Sequence, residues 1–352
     1  MQVNAKAAAF FAGLFFLVST SACAQDIATR TFTDAAGREV VVPAKIDRVF
    51  AAGPPAAILV YTLAPDKLLG WSREVRPAER EYMPEKYADL PVLGRLTGKG
   101  NTANIETVVA ARPDIILDVG DVDPTYVSLA ERTQEQTGIP YVLLDGSFPK
   151  TPETYRLLGT LLGEEARGAE LAGYAEQTMA DLDERLAQIP AGDRPRVYYG
   201  RGPEGLETGL GGSINVEILE RIGATNVAAA AGTGGLTNVS PEQILGWDPD
   251  AVLLSDPKFY RAVSGDPRWQ GLRAVREGRV YLAPGLPFGW FDAPPGVNRL
   301  IGVRWLTSVL YPDKFPEDLR SITRDFYSRF YHVDLSDPQL DKLLQPATAG
   351  PS

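Results

Sequence analysis

Glu164–Ile189 reads EEARGAELAGYAEQTMADLDERLAQI. No proline interrupts it, and as one helix its roughly 26 residues would measure about 39 Å. Leu171, Met179, Leu182 and Leu186 recur at helical spacing with charges between them, and Pro190 and Gly192 stop it. Helices in compact domains are commonly about half that length. A helix of this size in mid-chain is either a brace between two lobes or a long surface helix of one large domain. The segments on either side decide which.

Before it, short apolar strands alternate with helices. A small hairpin spans Thr31 to Val42 with its turn at Asp34–Gly37. Strands follow at Arg48–Ala52, Leu68–Trp71, Asp114–Val119 and Tyr141–Leu144. Helices are expected at Ala56–Leu63, Glu106–Ala111, Thr125–Thr137 and Thr154–Leu162, and loops at Ser72–Leu90 and Gly94–Thr102. After it the alternation resumes. Strands are expected at Val197–Tyr199, Asn226–Val227, Ala251–Ser255 and Val280–Leu282. Helices are expected at Asn215–Ile222, Gln243–Gly246, Asp266–Val275, Val297–Leu310 and Leu319–Tyr331. Such alternation predicts mainly parallel sheets covered on both faces.

An internal repeat settles the larger arrangement. Asn104-Ile105-Glu106 leads through Val108-Val109 to Pro113-Asp114 and Ile115-Ile116-Leu117; Ser240-Pro241-Glu242 leads through Ile244-Leu245 to Pro249-Asp250 and Val252-Leu253-Leu254. In both, proline stands seven residues after the glutamate and aspartate eight. Asn104 and Ser240 are good N-caps, and Pro241 suits the first helical position. One cap–helix–Pro-Asp–strand unit thus occurs on each side of the long helix. This predicts two similar α/β lobes: residues 25–163, the connector 164–189, residues 190–345, and a tail at 346–352.

Composition and address narrow the class. Of 352 residues 44% are hydrophobic and 23% charged, as in soluble globular proteins. In the first 24 residues Lys6 is the only charge, and the apolar run Ala7–Val18 is too short to span a bilayer. Ala22 and Ala24 stand where small residues precede secretory cleavage, so a signal peptide cut before Gln25 is expected. The alternative is a lipoprotein anchored at Cys23, the one cysteine, although Thr20 occupies a position where lipoprotein signals usually carry leucine. Cleavage makes the formal charge of −10 one unit more negative. An exported acidic chain is a poor partner for nucleic acid.

At these residues the chain resembles a known family, the periplasmic solute-binding proteins of ABC importers for ferric siderophores, haem and cobalamin. The resemblance covers TDAAGREVVVP-x₄-RV, the two Glu…Pro-Asp units, the connector and the late GWFDAPPGVNR. It implies two Rossmann-like lobes, a ligand cleft between them, a rigid linking helix and modest closure. Its closing stretch PFGWFDAPPGVNRLIGVRWL resembles a branch for iron complexes that includes molybdate binders. The resemblance further implies that Glu106 and Glu242 dock onto arginines of an inner-membrane permease. Read without it, each is an acid that suits the positive end of a helix.

Ligand candidates come from loops at the carboxyl ends of strands, where open α/β sheets bind ligands. In the first lobe these are Gly53, Pro54 and Pro55, with Trp71, Arg73, Arg76, Arg95 and Lys99 in comparable loops. In the second lobe they are Tyr199 and Arg201, Lys258, Phe259 and Tyr260, and Phe288, Trp290 and Phe291, with Arg299 in the next helix. Arginine pairs with carboxylate or oxyanion groups and flat rings cover an organic part. For each residue the plainer alternative is loop packing or a solvated charge.

Other chemistries are poorly served. Gly98–Ala103 fits G-x-G-x-x-A but is preceded by a loop, where the dinucleotide fingerprint needs a strand; a secreted NAD-dependent enzyme is the reading it would support. No G-x-S-x-G occurs, and any Ser-His-Asp site would depend on His332, the sole histidine. One histidine and no cysteine after the expected cleavage leave too few ligands for a site that binds naked zinc or manganese. The expectation is therefore a monomeric periplasmic receptor, without catalysis or cofactor. It would take an iron–siderophore-type chelate to an ABC permease, with molybdate or tungstate as the alternative ligand.

Overall fold

A computed structural model describes the backbone of residues 28–98, 100 and 102–348, and side chains as far as residue 344. The expected signal peptide, Cys23, the cut before Gln25, and Lys99 lie outside the described residues. The strands are β1 Thr29–Thr33, β2 Glu39–Pro43, β3 Val49–Ala51, β4 Ile115–Gly120, β5 Tyr141–Asp145, β6 Arg196–Gly200, β7 Glu207–Gly209, β8 Thr225–Asn226, β9 Leu236–Asn238, β10 Ala251–Leu254 and β11 Val280–Leu282. The helices are α1 Pro54–Leu63, α2 Pro77–Arg80, α3 Glu85–Ala88, α4 Ile105–Ala111, α5 Pro124–Thr137, α6 Thr151–Leu162, α7 Glu165–Leu186, α8 Glu217–Arg221, α9 Pro241–Trp247, α10 Pro257–Ala262, α11 Arg273–Arg276, α12 Arg299–Leu310, α13 Leu319–Tyr331 and α14 Asp337–Thr348.

Two parallel sheets form, one in each lobe: β3-β4-β5, and β11-β10-β6-β8. Side-chain alternation along each strand serves two cores. Phe50, Ile116, Tyr141 and Leu143 face a small core of the first lobe, with Val108 of α4 and Ala130 of α5. Tyr198, Val252, Leu254 and Val280 face a core of the second lobe, with Ile244 of α9 and Phe259 of α10. The opposite faces of both sheets meet a single large cluster. Val49, Leu117 and Leu144 belong to it with Val197, Tyr199 and Leu253, joined through α1, α6, α7, α12 and α13. The two lobes therefore share one continuous apolar interior.

The long helix α7 is 22 residues and ends at Leu186, three residues before the expected Ile189. Near its start it packs on α6 with backbones almost touching: a Cβ on Gly168 would lie 2.7 Å from the Tyr155 carbonyl. Towards its end Arg185 pairs with Glu317 at 3.1 Å and covers Phe315. Between these points Glu170 pairs with Arg329 and Tyr174 meets Phe330. The helix is thus braced by its predecessor α6 and by the last third of the chain.

Several elements differ from expectation. Residues 72–90 contain the short helices α2 and α3; Glu79 of α2 is buried between Arg73 and Arg76. The helix expected over Asp266–Val275 shortens to α11, because Trp269 and Leu272 both turn inward around Gly271. Residues 346–348, expected in the tail, continue the helix α14. The division that places residues 190–345 in the second lobe does not match the contacts of the last helices. Tyr61 of α1 donates to the Tyr331 carbonyl, Tyr82 donates to Gln339, and Lys342 pairs with Glu81, so α13 and α14 return to the first lobe.

Candidate functional site

The repeated units prove to be one structural device used twice. In the first lobe the Arg48 guanidinium donates to the carbonyls of Ala111 and Arg112 at the end of α4, while Asp114 accepts from the Arg48 amide at 2.8 Å. In the second, Arg196 donates to Trp247 and Asp248 at the end of α9, and Asp250 accepts from the Arg196 amide at 2.9 Å. Both helices end in a left-handed non-glycine residue, Arg112 at φ 47° and Asp248 at φ 40°. Their starts are capped as the sequence predicts: Asn104 accepts from Thr107 and Ser240 from Gln243. So clamped, α4 and α9 expose Glu106 and Glu242, and one turn further on the apolar Val109 and Leu245.

A small cleft opens where the lobes meet. From the first lobe it is lined by Pro55, Leu59, Val119, Asp145, Gly146, Ser147, Thr151 and Thr154; from the second by Gly296, Val297 and Arg299. Arg299, at the start of α12, is buried and spans the junction. It donates to Glu217 at 2.7 Å, to the Gly296 and Ile214 carbonyls, and across to the Gly146 carbonyl, and its guanidinium lies over the Phe148 ring. Burial depresses the Arg299 pKa, and Glu217 opposes that shift. The same Glu217 oxygen accepts from the Phe148 amide at 2.9 Å. At the cleft edge, burial raises the carboxyl pKa of Asp121, and the nearby charges of Asp123, Asp145 and Glu217 add to the rise.

Beside this junction lies a second polar network. Asp292, fully buried, accepts from the Tyr199 hydroxyl, from Arg201 Nε at 2.9 Å and from Asn215 at 3.1 Å. Burial pushes the Asp292 carboxyl up, with Arg201 pulling the other way, and pushes the Tyr199 hydroxyl up as well. Arg201 also pairs with Glu207 at 2.9 Å.

The expected ligand residues therefore divide sharply. Arg299 and Pro55 line the cleft. Tyr199 and Arg201 sit at the carboxyl end of β6 as expected, but their polar groups are taken by Asp292 and Glu207. Trp290 is buried in the shared core with its indole N–H on Tyr327, and Phe291 packs on Tyr199. Phe259 meets Trp269 edge-on inside the second lobe, on a helix rather than the expected loop, and Lys258 is exposed on that helix. Trp71 is buried against Tyr61 and Phe288, its indole N–H on the Tyr87 carbonyl. Arg95 is bound to the Gly100 carbonyl. Gly53 lies against Thr97 and caps α1, but Pro54 and Pro55 have no N–H, so this helix start is a weaker anion site than expected.

Sequence reasoning missed Asp145-Gly146-Ser147, which follows β5 and met the same strand-end rule that picked out Gly53. Glu217 and Asp292 gave no local signal; their roles arise only from tertiary pairing. Thr102 and Ala103 donate to the Arg95 carbonyl, and the first βα turn is formed by Ala52 and Gly53, not by the glycines after Arg95.

Residues 57–286 match the family described as periplasmic binding protein. The chain belongs to that family. Family members are solute-binding proteins of transport systems, not enzymes. The chain is 27% identical over 336 residues to the molybdate-binding protein MolA of Haemophilus influenzae, covering 87% of this chain and 92% of that one. It is 22% identical over 190 residues to an Fe(3+)-citrate-binding protein of Bacillus subtilis, covering 53% and 58%. An ABC transporter solute binding protein from Sulfurospirillum deleyianum superposes with a TM-score of 0.81 at 30% identity, covering 90% of this chain and 99% of that one. The fold is accordingly two α/β lobes with mainly parallel sheets, joined by a long helix and flanking a cleft.

Proposed function

We propose that this protein captures a small metal oxyanion of the molybdate class in the periplasm and passes it to an ABC permease. One observation carries the choice of ligand. The rings expected to cover an organic chelator, those of Trp71, Phe259, Trp290 and Phe291, are buried within the lobes. Among the described residues the cleft lining holds no aromatic ring; aliphatic Leu59, Val119 and Val297 and polar Ser147, Thr151 and Thr154 surround the Arg299 guanidinium. A flat macrocycle needs exposed aromatic walls; a tetrahedral anion needs directed N–H and O–H donors. The likeness to the molybdate-binding relative agrees with this reading. A compact iron chelate is the second reading, favoured by the likeness to an Fe(3+)-citrate-binding protein.

Native mass spectrometry of freshly purified protein, followed by calorimetric titration with molybdate, tungstate, ferric citrate, a ferric hydroxamate and haem, tests it. Calorimetry is preferable to tryptophan quenching because Trp71 and Trp290 are buried away from the cleft. Tight binding of molybdate or tungstate with no response to haem is the expected result. Binding only of the bulky chelates would overturn it. Handover is proposed to proceed through Glu106 and Glu242, which project from equivalent clamped helices of the two lobes.

A further inference from the structure

We infer that the lobe junction holds an anion-binding point made by the Phe148 amide and the Arg299 guanidinium, and that the Glu217 carboxylate is its internal occupant, exchanged for an oxygen of the ligand. The inference rests on the oxyanion reading above and names the place where that anion is held. A single atom, Glu217 Oε2, accepts at 2.9 Å from the Phe148 amide in the first lobe and at 2.7 Å from Arg299 in the second. The other hydrogen bonds given by Arg299 end on neutral carbonyls, those of Ile214, Gly146 and Gly296. Glu217 is thus the one anionic acceptor the guanidinium bonds among the described residues.

Donors and acceptor differ in their freedom to move. The Arg299 side chain is 1% exposed and is fixed by those carbonyls; Phe148 is fully buried. The Glu217 side chain is 24% exposed and sits on the first turn of the five-residue helix α8. A buried guanidinium requires a partner, whereas a carboxylate with access to water does not. Rotation of Glu217 outward would leave two fixed donors, one from each lobe, aimed at one point at the lobe junction beside the cleft. An oxyanion placed there takes both bonds and ties the lobes as Glu217 did. Neutral ligands cannot meet the charge of Arg299 and so do not displace the carboxylate.

The test uses the full mature chain with molybdate and sulfate as probes. Glu217→Ala should bind molybdate roughly tenfold tighter than wild type or better. Anomalous scattering should place molybdenum within hydrogen-bonding reach of the Phe148 amide and Arg299. Glu217→Gln removes the charge but keeps an oxygen in place, so it should gain less than Glu217→Ala. Adding Arg299→Met to Glu217→Ala should abolish the gain. A folded Glu217→Ala that binds no tighter than wild type, a glutamine variant that gains as much as alanine, or an ion found elsewhere would each overturn the inference. Should the alanine variant fail to fold, sulfate titration of Glu217→Gln decides: a larger rise in Tm than in wild type supports the site, and an equal rise refutes it. Failure of wild-type protein to bind any oxyanion would instead count against the proposed ligand class, since the sulfate response of the variants is read without reference to it.

Discussion

Asp292 collects three donors, from Tyr199, Arg201 and Asn215, in a setting closed to water. Asp292→Asn should cost roughly 3–5 kcal/mol in chemical denaturation, because it leaves the Arg201 guanidinium partly uncompensated. A loss below about 1 kcal/mol would mean that Glu207 alone satisfies Arg201. His332 makes a second residue-scale prediction. Its Nε2 lies 3.0 Å from the Tyr61 carbonyl and its ring packs on Tyr61 and Tyr87, with the charges of Asp66, Lys86 and Arg167 nearby. Burial lowers its pKa from 6.5. The unfolded chain then binds the proton more readily than the folded one. This contribution to stability is complete above about pH 6.5 and is lost as the pH falls towards the lowered folded value. Denaturation midpoints measured from pH 7.5 to 5.5 should decline, and His332→Gln should flatten that part of the decline. Tyr199 and Arg201 were legible as polar residues at a strand end, and Arg299 as an arginine of the helix that follows the last strand. Their partners were not, because Asp292 and Glu217 stand far from them along the chain and nothing local marks the pairing. The rings were misread for a related reason: an aromatic after a strand can turn into the cleft or into the core, and only packing decides.

Among elements, the two cap–helix–Pro-Asp–strand units were the most readable, and their geometry explains why. Each aspartate binds the amide of the arginine that opens the neighbouring strand, so strand, helix end and loop are specified together. Caps and prolines act within a few residues and leave a strong local trace. The helix α14 was not expected, although Leu340, Leu343 and Leu344, buried at helical spacing after Asp337-Pro338, carry a local trace of it. What no local pattern could show was that α13 and α14 return to the first lobe. The α6–α7 contact gives the test at this scale. The backbone at Gly168 is too close to Tyr155 for any side chain, so Gly168→Leu must push the two helices apart. It should cost about 1–3 kcal/mol or more in denaturant unfolding. An unchanged midpoint would show that the pair can separate freely.

For the whole molecule, the proposed docking through Glu106 and Glu242, both exposed, requires a partner that presents the same surface twice. Reversing both charges, Glu106→Lys with Glu242→Lys, should abolish uptake in cells while calorimetric affinity for the ligand stays at the wild-type value. Normal uptake by the double variant would remove the docking role. The continuous interior between the lobes makes large hinge opening expensive, since it would expose apolar surface along α1, α7 and α13. It also bears on how the polypeptide acquires its shape. Tyr61 and Tyr82, near the beginning, find their partners at Tyr331 and Gln339, near the end. A nascent chain that has not yet released α13 and α14 leaves Tyr61 and Tyr82 without these partners and the apolar face of α1 uncovered by α13.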